Sequence, residues 1–74
     1  MTKLFVWVAI AETDMIHDTA IFHSAEGAKA WCDEMINKYH KLDILPKWYI
    51  SEGSGSLNWQ PNQSFFYSLQ EVLP

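Results

Sequence analysis

Leu4 to Ile10, LFVWVAI, is an unbroken apolar run of seven residues that passes through Ala11 into the polar Glu12-Thr13-Asp14. A secretory signal, a membrane anchor and a strand that hides both of its faces can all start this way. The run is well short of the ~20 apolar residues that a membrane helix needs. With Lys3 before it and Ala9-Ile10-Ala11 at its end it imitates a secretory signal, but spans only about eleven residues where ~15 to 30 are usual. Val, Ile, Phe and Trp without Gly or Pro favour a strand. On that strand Leu4, Val6, Val8 and Ile10 form one face and Phe5, Trp7 and Ala9 the other, so neither face is polar. Such a strand belongs inside a sheet, with cover on both sides.

The rest of the chain supplies one obvious cover. After a turn at Glu12, Thr13 and Asp14, a second extended run from about Ile16 to His23 leads to Ser24, a good helix N-cap. Asp18 would share a strand face with Ile16, Ala20 and Phe22, so either it sits at a bulge or the turn is longer. A helix from about Ala25 to Lys41 follows, with Glu26 near its start and Lys38, His40 and Lys41 near its end, as the helix dipole favours. Ala28, Trp31, Cys32, Met35, Ile36, Tyr39 and Leu42 recur on one face, and Trp31, Met35 and Tyr39 are expected to pack it onto the sheet.

Pro46 ends the connection, and three extended runs follow, Lys47 to Ser51, Leu57 to Gln60 and Ser64 to Val72. Gly53 and Gly55 read as a hairpin turn between the first two. The expectation is a single α+β domain over residues 1–74: β-β-α-β-β-β, an antiparallel sheet of four to five strands with one helix on one face.

A chain of 74 residues with a net charge of -4 and no arginine is poorly equipped to neutralise phosphates or to read guanine. No nucleic-acid or membrane partner is expected. Cys32 is the only cysteine; a small secreted domain would usually carry several disulfides, so a cytoplasmic setting fits better. The sequon-like Asn62-Gln63-Ser64 loses its meaning in that setting.

No set of residues converges on catalysis or metal binding. His17 and His23 would lie ~20 Å apart on a regular strand, too far to share an ion. Cys32 and His40 are two helical turns, ~12 Å, apart, so the thiol reads as a small core residue. SEGSGS lacks the lysine and the following helix of a phosphate-binding loop. No enzyme activity and no cofactor is expected. The rings are more informative, because one helix can cover only one face of the sheet. Trp7, Trp48, Tyr49, Trp59, Phe65, Phe66 and Tyr67 all fall on the expected strands, and some of them must look away from the helix.

The strand-to-helix junction Ile21 to Met35, IFHSAEGAKAWCDEM, resembles that of small α+β accessory proteins of bacteriophages and other mobile elements. The resemblance covers that junction directly, and what it implies is a class of behaviour, binding and inhibition of a host protein, without assigning any functional residue. Two functions are therefore carried forward. The first is a non-enzymatic interaction module that docks a host protein or its own copy, as a homodimer, through Phe5, Trp7, Tyr49, Trp59 and Phe66, with the acidic turn residues Glu12, Asp14 and Asp18 tuning the encounter. The second is a small-ligand or nucleotide binder that stacks its ligand on Trp and Tyr. Trp7→Lys is the substitution expected to separate partner binding from its loss.

Overall fold

The computed structural model describes residues 3–41, 47–60 and 63–73. The elements run β1 (Leu4–Glu12), β2 (His17–Phe22), α1 (Ala25–Tyr39), β3 (Tyr49–Ser51), β4 (Ser54–Gln60) and β5 (Gln63–Val72). All five strands join one antiparallel sheet in the order β2-β1-β5-β4-β3. The apolar run is interior as its composition demands, with β2 on one side and β5 on the other.

Register sorts every strand residue onto a face. Ala9 pairs with Ala20 and Tyr67, and Ala11 with Asp18 and Phe65; these lie on the side that carries α1. The core there consists of Ala9, Ala11, Ile16, Ala28, Cys32, Ile36, Leu57, Phe65 and Tyr67, all buried. The helix contributes Ala28, Cys32 and Ile36, a single stripe at four-residue spacing that meets the sheet where Ala9 and Ala11 leave it room. Trp31 and Met35 flank the stripe as expected. Tyr39 does not: it is exposed at the last helical position, with the Lys38 ammonium 5.3 Å above its ring. Leu42 and Pro46 lie outside the described residues.

The helix begins on Ser24, whose Oγ accepts the Gly27 N–H at 3.1 Å, and stops two residues before the expected Lys41. The Ile36 carbonyl takes the N–H groups of both His40 and Lys41, and Lys41 turns into the left-handed region at φ 48°, which ends the helical path. Fifteen helical residues span about 22 Å, whereas ten residues of β5 span about 33 Å. One end of the β1–β5 pair therefore runs past the helix, and Phe5 and Leu69 on the helix side are exposed there. The molecule is elongated, 46 × 22 × 20 Å, with a radius of gyration of 12.8 Å where a compact chain of this length would have about 11 Å.

The β1–β2 register is unbroken from Trp7–Phe22 to Glu12–His17, so Asp18 sits at no bulge. The turn is the longer of the two alternatives, Thr13 to Ile16, and Asp18 stays exposed because β2 is an edge strand. Thr13 holds this turn. It is the one buried polar side chain among the described residues; its Oγ1 accepts the N–H of Met15 at 3.1 Å and of Ile16 at 3.0 Å and lies 3.1 Å from His40 Nε2. Thr13→Val keeps the shape and orphans the buried Ile16 N–H, so it should cost about 1–3 kcal/mol in urea unfolding. Thr13→Ser, which keeps the hydroxyl, should recover most of that.

In the second hairpin Gly53 takes φ 80° in the turn, a conformation that glycine adopts without a Cβ clash. Gly55 is not part of that turn; it lies in β4 opposite Tyr67.

Candidate docking face

The side of the sheet away from α1 carries Leu4, Val6, Val8, Ile10 and Glu12 from β1, and His17, Thr19 and Ile21 from β2. From β5 come Ser64, Phe66, Ser68, Gln70 and Val72. Ser54 and Ser56 of β4 and Tyr49 and Ser51 of β3 complete it. No described element lies over this face. Leu4 is 64% exposed, Ile21 67%, Val72 45% and Phe66 37%, with Val6, Val8 and Ile10 half-buried between them. Together they present on the order of 500 Å² of apolar surface, within the ~300–600 Å² of the largest patch on a typical monomer, which is often functional.

Its electrostatics are as distinctive as its hydrophobicity. Of the three carboxylates on the strands, Asp18 and Glu71 fall on the helix side and only Glu12 on the uncovered side. Glu12 Oε1 lies 3.0 Å from His17 Nδ1 across the β1–β2 pair, at one corner of the face. No strand carries a lysine. The uncovered face thus carries one strand carboxylate, at its corner, and no strand lysine, leaving the apolar stripe on a nearly neutral surface, as the centres of protein interfaces usually are.

Of the residues expected to bind a partner, Phe66 and Tyr49 do lie on this face, with Glu12 at its corner. Phe5, Trp7 and Asp18 lie on the other, and Asp14 is in the β1–β2 turn. Trp59 belongs to β4, but its side chain is outside what is described, as is Asn62 of the sequon-like triplet. The structure thus does not bring the expected set together. Leu4, Val6, Val8, Ile10, Ile21 and Val72, which make up most of the uncovered stripe, were not in it. Trp7 packs edge-on against Tyr67 at 5.7 Å between ring centres, so Trp7→Lys would disturb the helix side. Even-numbered β1 positions are the ones that probe the uncovered face.

The aromatic rings of the helix side form a joined cluster. Tyr67 lies between Trp7 and Trp48, whose ring centre is 5.6 Å away. Trp48 Nε1 donates to Asp33 Oδ1 at 3.0 Å, Lys29 Nζ donates to Asp33 Oδ2 at 3.1 Å, and the same ammonium lies 5.4 Å from the Trp48 ring. The Lys29–Asp33 spacing is visible in sequence as an i, i+4 pair, but the tie to Trp48 crosses a chain connection that no periodicity reveals.

Cys32 lies beneath the helix with no exposed surface. Burial, helped by the Asp33 carboxylate and opposed by Lys29, pushes its thiol up from 9.0 to about 12, so it is a poor nucleophile near neutrality. Burial likewise raises the Tyr67 phenol. A raised thiol pKa leaves the fold whole below about pH 9 and destabilises it above, because only the unfolded chain then ionises; the loss is up to about 1.4 kcal/mol per pH unit until about pH 12. Urea unfolding between about pH 9 and about pH 11 should show a shallower loss for Cys32→Ala than for the parent, with Tyr67 common to both.

Among the described residues no three His, Cys, Asp or Glu side chains gather closely enough to hold a metal ion, and no helix is long and apolar enough to cross a membrane. Comparison with protein-family models, with curated proteins and with solved structures finds no match for this chain.

Proposed function

We propose that this protein is a non-enzymatic interaction module of the cytoplasm that docks a protein partner on the uncovered face of its sheet. One observation carries the proposal: a stripe of large apolar side chains along β1, continued by Ile21, Phe66 and Val72, on a face whose strands contribute a single carboxylate. Apolar surface of that extent stays favourable to bury, and a neutral surround lets a partner approach without desolvating charge. The Ile21 to Met35 junction, which resembles that of phage and mobile-element accessory proteins, supports the narrower proposal that the partner is a host protein whose action is blocked.

The test compares proteins captured from a lysate of the source organism by the parent, by Val8→Glu and by a helix-surface control, Lys38→Glu. A protein held by the parent and the control and lost with Val8→Glu, then shown to bind directly by calorimetry, would support docking on this face. Retention by all three would count against it.

A further inference from the structure

We infer that the free edge of β2 takes an extended segment of another protein as a further antiparallel strand, and that this segment carries a lysine or arginine opposite Asp18. It is a second surface, bonded by backbone groups at the rim of the sheet, and it stands or falls separately from docking on the uncovered face.

The edge decides what kind of segment fits. β2 pairs with β1, and no described strand borders its other side. The Thr13 N–H bonds the Ile16 carbonyl at 2.8 Å, which fixes the alternation of the ladder. The backbone groups of Asp18, Ala20 and Phe22 turn to β1, and those of His17, Thr19 and Ile21 turn outward. A row of unpaired N–H donors and carbonyls thus runs along a six-residue strand whose register is unbroken. Sheet edges are usually blunted by proline, lysine, a bulge or shortness. The opposite edge, β3, is only three residues long, whereas β2 has no proline, lysine or bulge and is twice that length. Such a row is matched group for group by the main chain of an added strand.

Charge decides whose strand it is. Glu12, Asp14 and Asp18, with no lysine, give residues 4–22 three of the four net negative charges of the chain. Glu12 has His17 beside it at 3.0 Å, whereas neither Asp14 nor Asp18 takes part in an ion pair among the described residues. A second copy of β2 would answer this edge badly. Directly opposed side chains of an antiparallel pair share a face, so Asp18 would meet Ala20, Phe22 or its own counterpart. None of these is a cation, and two hairpins of the same sign would be brought edge to edge. Asp18 therefore guards the edge against its own kind and favours a segment that brings a positive charge. In antiparallel register that segment sets an apolar side chain beside the exposed Ile21, on the uncovered side of the sheet. Its cation follows three positions further toward its C-terminus, opposite Asp18 on the helix side.

The test titrates the isotope-labelled chain with acetyl-Val-Val-Thr-Thr-Lys-Thr-amide, and with the same peptide carrying Glu for Lys, to about 2 mM while amide shifts are followed by NMR. With the lysine peptide the shifts should centre on the amides of His17, Thr19 and Ile21. The glutamate peptide should bind at least ~3-fold more weakly, as the change from an opposite to a like cross-strand charge pair requires. Asp18→Lys should reverse that preference. Should Asp18→Lys fail to fold, Asp18→Asn should make the two peptides equal. Proline at the fourth position of the lysine peptide, opposite Thr19, removes a ladder donor and should abolish binding.

An absence of shifts to about 2 mM would overturn the inference. Shifts centred on Val6, Val8 and Phe66 would overturn it too, while favouring docking on the face. Equal binding of the lysine and glutamate peptides at β2 would overturn the choice of a basic segment, and undiminished binding of the proline peptide would overturn strand addition.

Discussion

Phe65→Ala should lower stability by about 3–5 kcal/mol. Phe65 has no exposed surface and is the largest fully buried side chain among the described residues. It pairs with Ala11 on β1 and with Leu57 on β4, so the void would open where three strands meet under the helix. A 74-residue domain holds a net stability of only about 4–11 kcal/mol, and no second layer is available on the helix side to collapse into the space. Far-UV circular dichroism through a urea titration gives the measurement. A loss below about 1 kcal/mol would mean that Phe65 is not central to the core.

Gly55→Ala should fail for the opposite reason, overfilling. A Cβ on Gly55 would land on the ring edge and hydroxyl of its cross-strand partner Tyr67. Tyr67 has little freedom to move, since Trp7 and Trp48 flank it and Trp48 is held by Asp33. One added methyl is thus expected to cost about 1–3 kcal/mol and to shift the tryptophan fluorescence as Trp48 leaves its hydrogen bond. An unchanged emission spectrum together with an unchanged urea midpoint would show that the ring can swing aside. No sequence pattern marks this glycine: in SEGSGS it reads as half of a turn, and only the β4–β5 register shows that it is a seat for an aromatic ring.

Much of the architecture could be read from residue patterns, because each element had a strong local cause. An apolar run without Gly or Pro became the interior strand, and Ser24 became the N-cap. The side taken by the helix could not be read, since Leu4, Val6, Val8 and Ile10 are as apolar as Phe5, Trp7 and Ala9. Size distinguishes them: Ala9 and Ala11 allow the Ala28–Cys32–Ile36 stripe to come close, while the bulkier aliphatic face is left outside. The candidate site was therefore only partly legible. Aromatic character led to Phe66 and Tyr49 but also to Phe5 and Trp7, which face the helix side, and it passed over the aliphatic residues that supply most of the uncovered stripe. Thr13 was readable as a turn residue, but its contact with His40 was not, because that partner is 27 positions away.

The central pairing of the sheet joins the earliest and latest strands, with Leu4 opposite Val72. The hairpins β1–β2, β3–β4 and β4–β5 are local and can close quickly, but the seam between β1 and β5 closes a loop that spans nearly the whole chain. Loop-closure entropy must be met before that seam returns any contact energy, so folding should be limited by hairpin docking and be slower than in a helical bundle of this size. During synthesis β1 has no β5 beside it until the last strand is made. For that interval its apolar run has an open backbone edge as well as an uncovered face, which makes it the segment of this chain most in need of a chaperone.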